Sequence, residues 1–591
     1  MRHGILRISM GLLLPIAGLL ALSTTARGAD VAPTEKLLPP KVLAYFSIPS
    51  VQQLKESWTE GSSGKLFNDP EFAEFARQFD EPIQQFSDQF EEKVGLSIGQ
   101  VLNIPTGEVS FAVVAGEGTS LIGGVAFLDF GDHREEIDKL LALGRQAAED
   151  EGATVSTADV DGTEIVKFFP KEGEESEEGG DPENYLCYFV KDSLIVVSNN
   201  QSYLEATLTR WDGKHARTFG DNIEYKYIMT RCTTAEDKAL MKWYVNPISL
   251  VQTVVTLGAA QEPGIGMAMG FMPILGLDRL KGMGGAVEGP TDDFEAVTRS
   301  FMFVDLPARG VLAMFQLKTT ELAPPKWVPA DAPAYSTFQW DIEAAYTAVE
   351  QMVDSFQGAG AFDRLVDQAA AEGPQIHIKK DVLDKLDGRI HITNDASFDA
   401  EATDISEMQS IGKMLFAIGL NDQAAIESVV KKAIEQGDGF PGETRDFQGT
   451  TIYEAELGPG QSFAFAIVLD NLFITNDVTK LESIIRDDPD QKSLADNDEF
   501  KRLADKMPQQ TAGLTYQRQD TQLEAIYEMF RNGTFSQLMG AAGENPLQQV
   551  DFSLLPPFET VKKYLSVAGS YIEPDDQGVL FVGFQLKSKN Q

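Results

Sequence analysis

The chain has only two cysteines, Cys187 and Cys232, among 591 residues, which excludes a fold held by a disulfide framework. Histidine is nearly as scarce. Beyond the N-terminal segment only His133, His215, His377 and His391 occur. None stands in a His-x-x-x-His or His-Glu-x-x-His arrangement, so the sequence contains no helix-borne zinc site. His377 and His391 each lie between isoleucines at a predicted strand pair, which turns them away from those neighbours and predicts two half-exposed residues. Positive charge is in deficit: 49 Lys and Arg against 90 Asp and Glu give a formal net charge of −41. Such a surface repels nucleic acid and anionic headgroups. Beyond the N-terminus no apolar run is long enough to cross a membrane. Ile248 to Ala260 and Ile265 to Leu277 are interrupted by Gln, Gly and Pro and read as core helix or loop.

Motifs for catalysis are also missing. There is no Gly-x-Ser-x-Gly elbow, and no Ser-x-x-Lys accompanied by the further motifs of penicillin-recognising enzymes. Gly264 to Gly270 is glycine-rich, but it has the wrong final spacing for a dinucleotide loop and lacks the Gly-Lys-Ser of a phosphate loop. Asp159-Val160-Asp161-Gly162-Thr163-Glu164 begins like a calcium loop without its third ligand or distal Glu, and a hairpin turn accounts for it better. No cofactor and no metal site are implied. Carboxylate pairs remain the one catalytic chemistry that so acidic a chain leaves open.

What is present starts with export. Arg2 and Arg7 precede an apolar stretch from Ile8 to Leu22, interrupted by Pro15, and small residues lead to a cut after Gly28, with Ala26 nearly as good. Residues 1–28 therefore read as a secretory signal, delivering the chain to a periplasmic or extracellular compartment. No Cys stands at the cut for a lipid anchor.

Internal repetition is the strongest architectural signal. Val190 to Val196 matches Val468 to Ile474, Asp221 to Lys226 matches Asp496 to Lys501, and Gly162-Thr163 before Ile165 matches Gly449-Thr450 before Ile452. Gly310 to Lys318 resembles the closing Gly578 to Lys587. Each half reads as a strand, helices, further strands, a longer amphipathic helix, hairpin strands and a closing antiparallel set. The expected fold is α+β: two homologous halves, each an antiparallel sheet with helices packed on it. Residues 29–322 form the first half, 323–333 a Pro-rich linker and 334–591 the second half. Asn68 to Phe72, Asp221 to Tyr225 and Asp496 to Phe500 read as helix caps rather than metal ligands. In this alignment Cys187 corresponds to Phe465 and Cys232 to Met507, which predicts two buried, unpaired thiols. Lys171 to Asn184, acidic and Gly-rich, reads as a solvated extension of a hairpin.

Leu38-Pro39-Pro40, Leu54 to Trp58, Asn68 to Phe72 and Leu275 to Lys281 together resemble a family of uncharacterised exported bacterial proteins, grouped only as a domain of unknown function. The resemblance implies an architecture and transfers no catalytic residue. One stretch departs from an ordinary surface. Met267, Met269, Phe271 and Met272, with Leu538 and Met539 in the other half, sit in long apolar loops that read as lids over each core or as an apolar contact surface. The leading expectation is a non-enzymatic binding protein or structural protein of the envelope, with an unknown protein or apolar ligand as partner. A periplasmic carrier of apolar ligands or lipid is the first alternative, and a carboxylate-dependent hydrolase the second.

Overall fold

The computed structural model describes residues 31–116, 122–169, 185–258, 270–395, 412–436, 439–458, 461–486, 488–533 and 550–589. The predicted signal segment and the acidic stretch from Lys171 to Asn184 lie outside the described residues. The chain divides into two compact units. One comprises Met1–Gly266, Lys281–Thr291 and Thr298–Phe301; the other comprises Met267–Leu280, Asp292–Val297 and Met302–Gln591.

Among the described residues nine strands build the first unit: β1 (Val42–Ile48), β2 (Val109–Ala115), β3 (Ile122–Asp129), β4 (Thr154–Val160), β5 (Thr163–Phe169), β6 (Leu186–Lys191), β7 (Leu194–Ser198), β8 (Ala239–Val245) and β9 (Leu280–Glu288). They pair antiparallel in the order β4-β5-β6-β7-β3-β2-β1-β8-β9. Side chains alternate across the pleat. Tyr45, Ala112, Phe127, Val196 and Tyr244 are therefore buried on one face, which the helices Gln201–Leu208 and Ile223–Cys232 cover with Leu204, Tyr225 and Ile228. On the other face the amphipathic helix Arg134–Asp150 buries Ile137 against Phe130, with Leu128, Val190 and Ile195 around it. The β4–β5 turn places Asp161 at φ 52° and Gly162 at φ 80°, the left-handed pair that a tight hairpin needs. The calcium-like string at Asp159 is thus a turn.

β10 (Phe294–Val304) follows β9. The second unit contains β11 (Ala334–Gln339), β12 (Leu386–Asp395), β13 (Lys413–Leu420), β14 (Glu443–Phe447), β15 (Thr450–Gly458), β16 (Gln461–Val468), β17 (Asn471–Thr475), β18 (Gly513–Arg518), β19 (Val567–Asp575) and β20 (Gly578–Leu586). Their order is β14-β15-β16-β17-β13-β12-β11-β18-β19-β20. The first nine follow the same order as β4 to β9 above, strand for strand. Local devices recur with them. Asn222 and Asn497 cap equivalent helices. Ser198 and Thr475 donate to the carbonyls of Gly124 and Met414, whose own N–H groups donate to Asn199 and Asn476. The Pro-rich stretch 323–333 is packed into the second unit, where Trp327, Val328 and Ala332 join the core.

These bonds correct the sequence alignment in several places. With Ser198 opposite Val125 and Thr475 opposite Leu415, Lys191 occupies the place of Val468. The sequence match over Val190 to Val196 is therefore one residue out of step, and in a strand one step exchanges the two faces. Cys187 then stands where Ala464 does, not Phe465; both are buried, each opposite the equivalent Ser198 or Thr475. Gly310–Met314 is a short helix, so its likeness to β20 is one of composition. Leu, Ala and Met are good helix formers, and Gly310 takes φ 53° tight against the backbone of Leu275. Asn68 does not cap a following helix; its side-chain amide donates to Gly64 at the end of the preceding one. The two cysteines are buried and free, as expected, and burial pushes both thiols up to about 12.

One packing device recurs at equivalent places. A Cβ on Gly284 would lie 2.9 Å from Ile228, and one on Gly569 would lie 2.7 Å from Leu503. Both glycines let a covering helix approach its sheet. Gly583, on β20, has open space at the same position. Gly284→Val and Gly569→Val are each expected to destabilise by about 1–3 kcal/mol in urea unfolding, because overpacked cores must shift backbone. Gly583→Val should change stability by less than about 0.5 kcal/mol.

Candidate functional site

The apolar loop foreseen in the sequence is described only in part. Phe271 is exposed, with its ring 5.7 Å from that of Phe356, while the adjacent Met272 is buried. Met267, Met269, Leu538 and Met539 lie outside the described residues.

A second apolar surface does not stand out in the sequence. On the face of the first unit's sheet opposite Tyr45, Phe46 pairs across the strands with Phe111 on one side and with Trp243 on the other. Phe46 is 40 % and Phe111 45 % exposed. Glycines make room for the rings: Phe111 reaches over Gly124, and Trp243 lies where a side chain on Gly285 would stand. Ile48, Val109 and Val113 continue the same face, half-buried. A signal was available, since β1 and β2 are apolar at nearly every position, the pattern of a sheet with partners for both faces. In the second unit the places of Phe46, Phe111 and Trp243 are taken by Ser336, Ile392 and Thr515, where Ser336 and Thr515 share a hydrogen bond of 3.2 Å. The aromatic patch belongs to the first unit's sheet alone.

Several of the polar groups inside the sheets are engaged with a tyrosine hydroxyl. In the first unit the Glu108 carboxylate accepts the Thr34 amide (3.0 Å) and the hydroxyls of Thr34 (2.6 Å), Ser47 (2.7 Å) and Tyr45 (3.0 Å). Ser110 donates to Thr34 in turn. The Glu35 carboxyl stands 3.4 Å from the Tyr45 hydroxyl. Burial, then the nearby Glu108 charge, raises its pKa above the ordinary range. In the second unit the equivalent tyrosine, Tyr335, makes a 2.8 Å hydrogen bond to Nδ1 of His391. His391 is buried, not half-exposed as its isoleucine neighbours suggested. Those isoleucines line the opposite face, and the ring stacks on Tyr335 with Trp327 edge-on. Burial lowers its pKa to about 4. The nearby indole N–H of Trp327 and the hydroxyls of Thr393 and Tyr516 are buried without a partner among the described residues.

A cleft of about 290 Å³ opens on the second unit, lined in part by Trp340, Tyr346, Lys318, Lys379, Glu343 and Asp384. Its polar groups are largely committed. Lys318 pairs with Asp341 at 2.9 Å, Lys379 sits 4.8 Å over the Tyr346 ring, and the Trp340 indole donates to the Met314 carbonyl. It lies at the small end of the range for ligand sites and brings no nucleophile to a base. Among the described residues no group of three metal-ligating side chains converges, and no helix is long and apolar enough to cross a membrane.

Residues 300–552 match the model of a family described as a protein of unknown function (DUF3352), in keeping with the uncharacterised family that the sequence resembles. The match spans somewhat under half of the chain and lies mainly in the second unit. No curated protein and no solved structure matches the chain.

Two titrations follow from the buried groups, with opposite signs. The fold favours neutral His391, so its contribution is complete above the ordinary 6.5 and is lost as the pH falls through about 4. That loss amounts to about 3 kcal/mol. Urea unfolding between pH 7 and pH 4 should show it, and His391→Gln should flatten the dependence. Glu35, with its raised pKa, is favoured protonated; its contribution is present below the ordinary 4.5 and lost as the pH rises. Glu35→Gln should therefore be more stable than the parent at pH 7, with the gap closing in acid; equal stability at both pH values would contradict the assignment.

Proposed function

We propose that the chain is an exported binding protein without catalytic activity, which holds an apolar partner against the open sheet face of its first unit. One observation carries the reading: Phe46 and Phe111, adjacent on neighbouring strands, are 40 % and 45 % exposed. Large apolar side chains scattered singly on a surface need no explanation, but a contiguous group marks a contact site. The chemistry elsewhere agrees, because Glu108, Glu35 and His391 are engaged with tyrosine hydroxyls, and in the cleft on the second unit Lys318 is paired with Asp341. The N-terminal charge and apolar pattern support export. A net charge of −41 favours a partner other than nucleic acid.

The reading includes descent of the two units from one duplicated ancestor. Support comes from the shared order of nine strands and the matched caps at Asn222 and Asn497. Duplication followed by divergence accounts for an aromatic patch in one unit and a serine–threonine pair at the same place in the other.

The second reading, a carrier of acyl chains or similar ligands, draws on the same rings and is separated by experiment. Titration with the neutral solvatochromic dye Nile red should give saturable binding that Phe46→Ser with Phe111→Ser abolishes at unchanged Tm. Mass spectrometry of material co-purified from the native compartment then decides the partner: a stoichiometric lipid selects the carrier, and a polypeptide selects the binding protein. Dye binding that ignores both substitutions would remove the sheet face from consideration.

A further inference from the structure

Between β1 and β2 the chain runs through five helices, of which Asp80–Val94 is the longest. A chain of aromatic rings leads up to it, from Trp58 to Phe67, Phe72, Phe75 and Phe79, each 5.3–5.7 Å from the next. Gly95, at φ 69°, ends it. The helix itself has no buried residue. Ile83, Phe86, Phe90 and Val94 recur at helical spacing and share one face. Ile83 is 42 % and Phe86 63 % exposed, and the Phe86 and Phe90 rings lie 6.4 Å apart.

Its charges say what fits that face. Asp80, Glu81, Asp88, Glu91 and Glu92 stand against Lys93 alone. Asp80 and Glu91 border the apolar stripe, by the 100° advance per residue of a helix. Glu81 and Asp88 accept hydrogen bonds from Gln85 and Gln84 on the same helix. Glu91 and Glu92 lie in the last turn, where the negative end of the helix dipole opposes them. Carboxylates in that place work against the isolated helix and are relieved by a cation brought from outside.

We propose that helix Asp80–Val94 docks a cationic amphipathic segment of another polypeptide, one with apolar side chains at i, i+3 or i+4, and i+7 and Lys or Arg at their flanks. A second copy of this chain fits poorly, since it would set five carboxylates against five. Anionic membrane is repelled for the same reason. The site is independent of the sheet face bearing Phe46 and of what that face binds.

The test uses the full chain and fluorescently labelled synthetic peptides: a Leu/Lys amphipathic helix, its Leu/Glu counterpart, and a Ser/Lys peptide of equal charge. The Leu/Lys peptide should bind, and the other two at least about ten-fold more weakly, because apolar anchors and charge both contribute. Ile83→Ser with Phe86→Ser should weaken binding about ten-fold or more. Both positions are exposed, so Tm and Nile red binding should hold. Glu91→Gln with Glu92→Gln should weaken it several-fold at low salt and have no effect at high salt. The same neutralisation on another helix, Glu135→Gln with Asp150→Asn, should do nothing. Equal affinity for the Ser/Lys peptide, or an undiminished affinity after the Ile83 and Phe86 substitutions, would reduce the effect to general attraction by an acidic protein and overturn the proposal. So would Phe86-dependent dimers in sedimentation, or Phe86-dependent binding to phosphatidylcholine vesicles that exceeds peptide binding.

Discussion

A buried tyrosine hydroxyl on an inner strand of each sheet organises much of what surrounds it. Tyr45 lies opposite Tyr244, and Tyr335 opposite Tyr516, each pair on neighbouring strands and wholly inside. A hydroxyl removed from water without a partner costs roughly 1–3 kcal/mol. The two units satisfy it by different chemistry at one geometric place. In the first, Glu108 gathers Tyr45, Ser47 and Thr34, and so ties the segment before β1 onto the sheet. In the second, a histidine stands where Ser110 does, and one ring nitrogen is enough. That histidine then needs cover, which Trp327 supplies from the proline-rich stretch.

The sequence made the fold class, a long amphipathic helix in each half, and the hairpin turn at Asp161-Gly162 legible, because each rests on local periodicity or on a φ that few residues tolerate. What it could not show was register. Val190 to Val196 aligned one step out, since short apolar strands look alike when shifted, and only the bonds from Ser198 and Thr475 fix the phase. Gly310 to Lys318 failed for a related reason: a string such as Val-Leu-Ala-Met suits a helix and a strand equally, and close backbone packing at Gly310 decided. The burial of His391 is not legible from its isoleucine neighbours, because in β12 both faces of the strand are covered and the isoleucines do not mark the one that holds the ring.

That same property hid the candidate surface. Where one face of a sheet is polar, an exposed phenylalanine stands out in the sequence; in β1 and β2 it does not. The strong acidity was plain from composition, yet its distribution on the helix Asp80–Val94 acquires meaning only once that helix is seen to bury nothing. Apolar side chains fringed by carboxylates are a different surface from the uncharged rings of Phe46 and Phe111, and the two suit different partners.

The place of β1 in its sheet has a consequence for how the chain is made. Its two neighbours are β2, which follows within about seventy residues, and β8, which begins at Ala239. A ribosome adding 5–20 residues per second needs roughly 10–40 s to travel from the end of β1 to the start of β8. Throughout that interval one flank of β1 has amide and carbonyl groups with no strand to receive them, the condition under which nascent chains pair with each other. β11 repeats the arrangement, waiting for β18. A chain built this way encounters its greatest hazard before it is complete, and mutual repulsion among acidic chains would keep half-made neighbours apart for as long as the wait lasts.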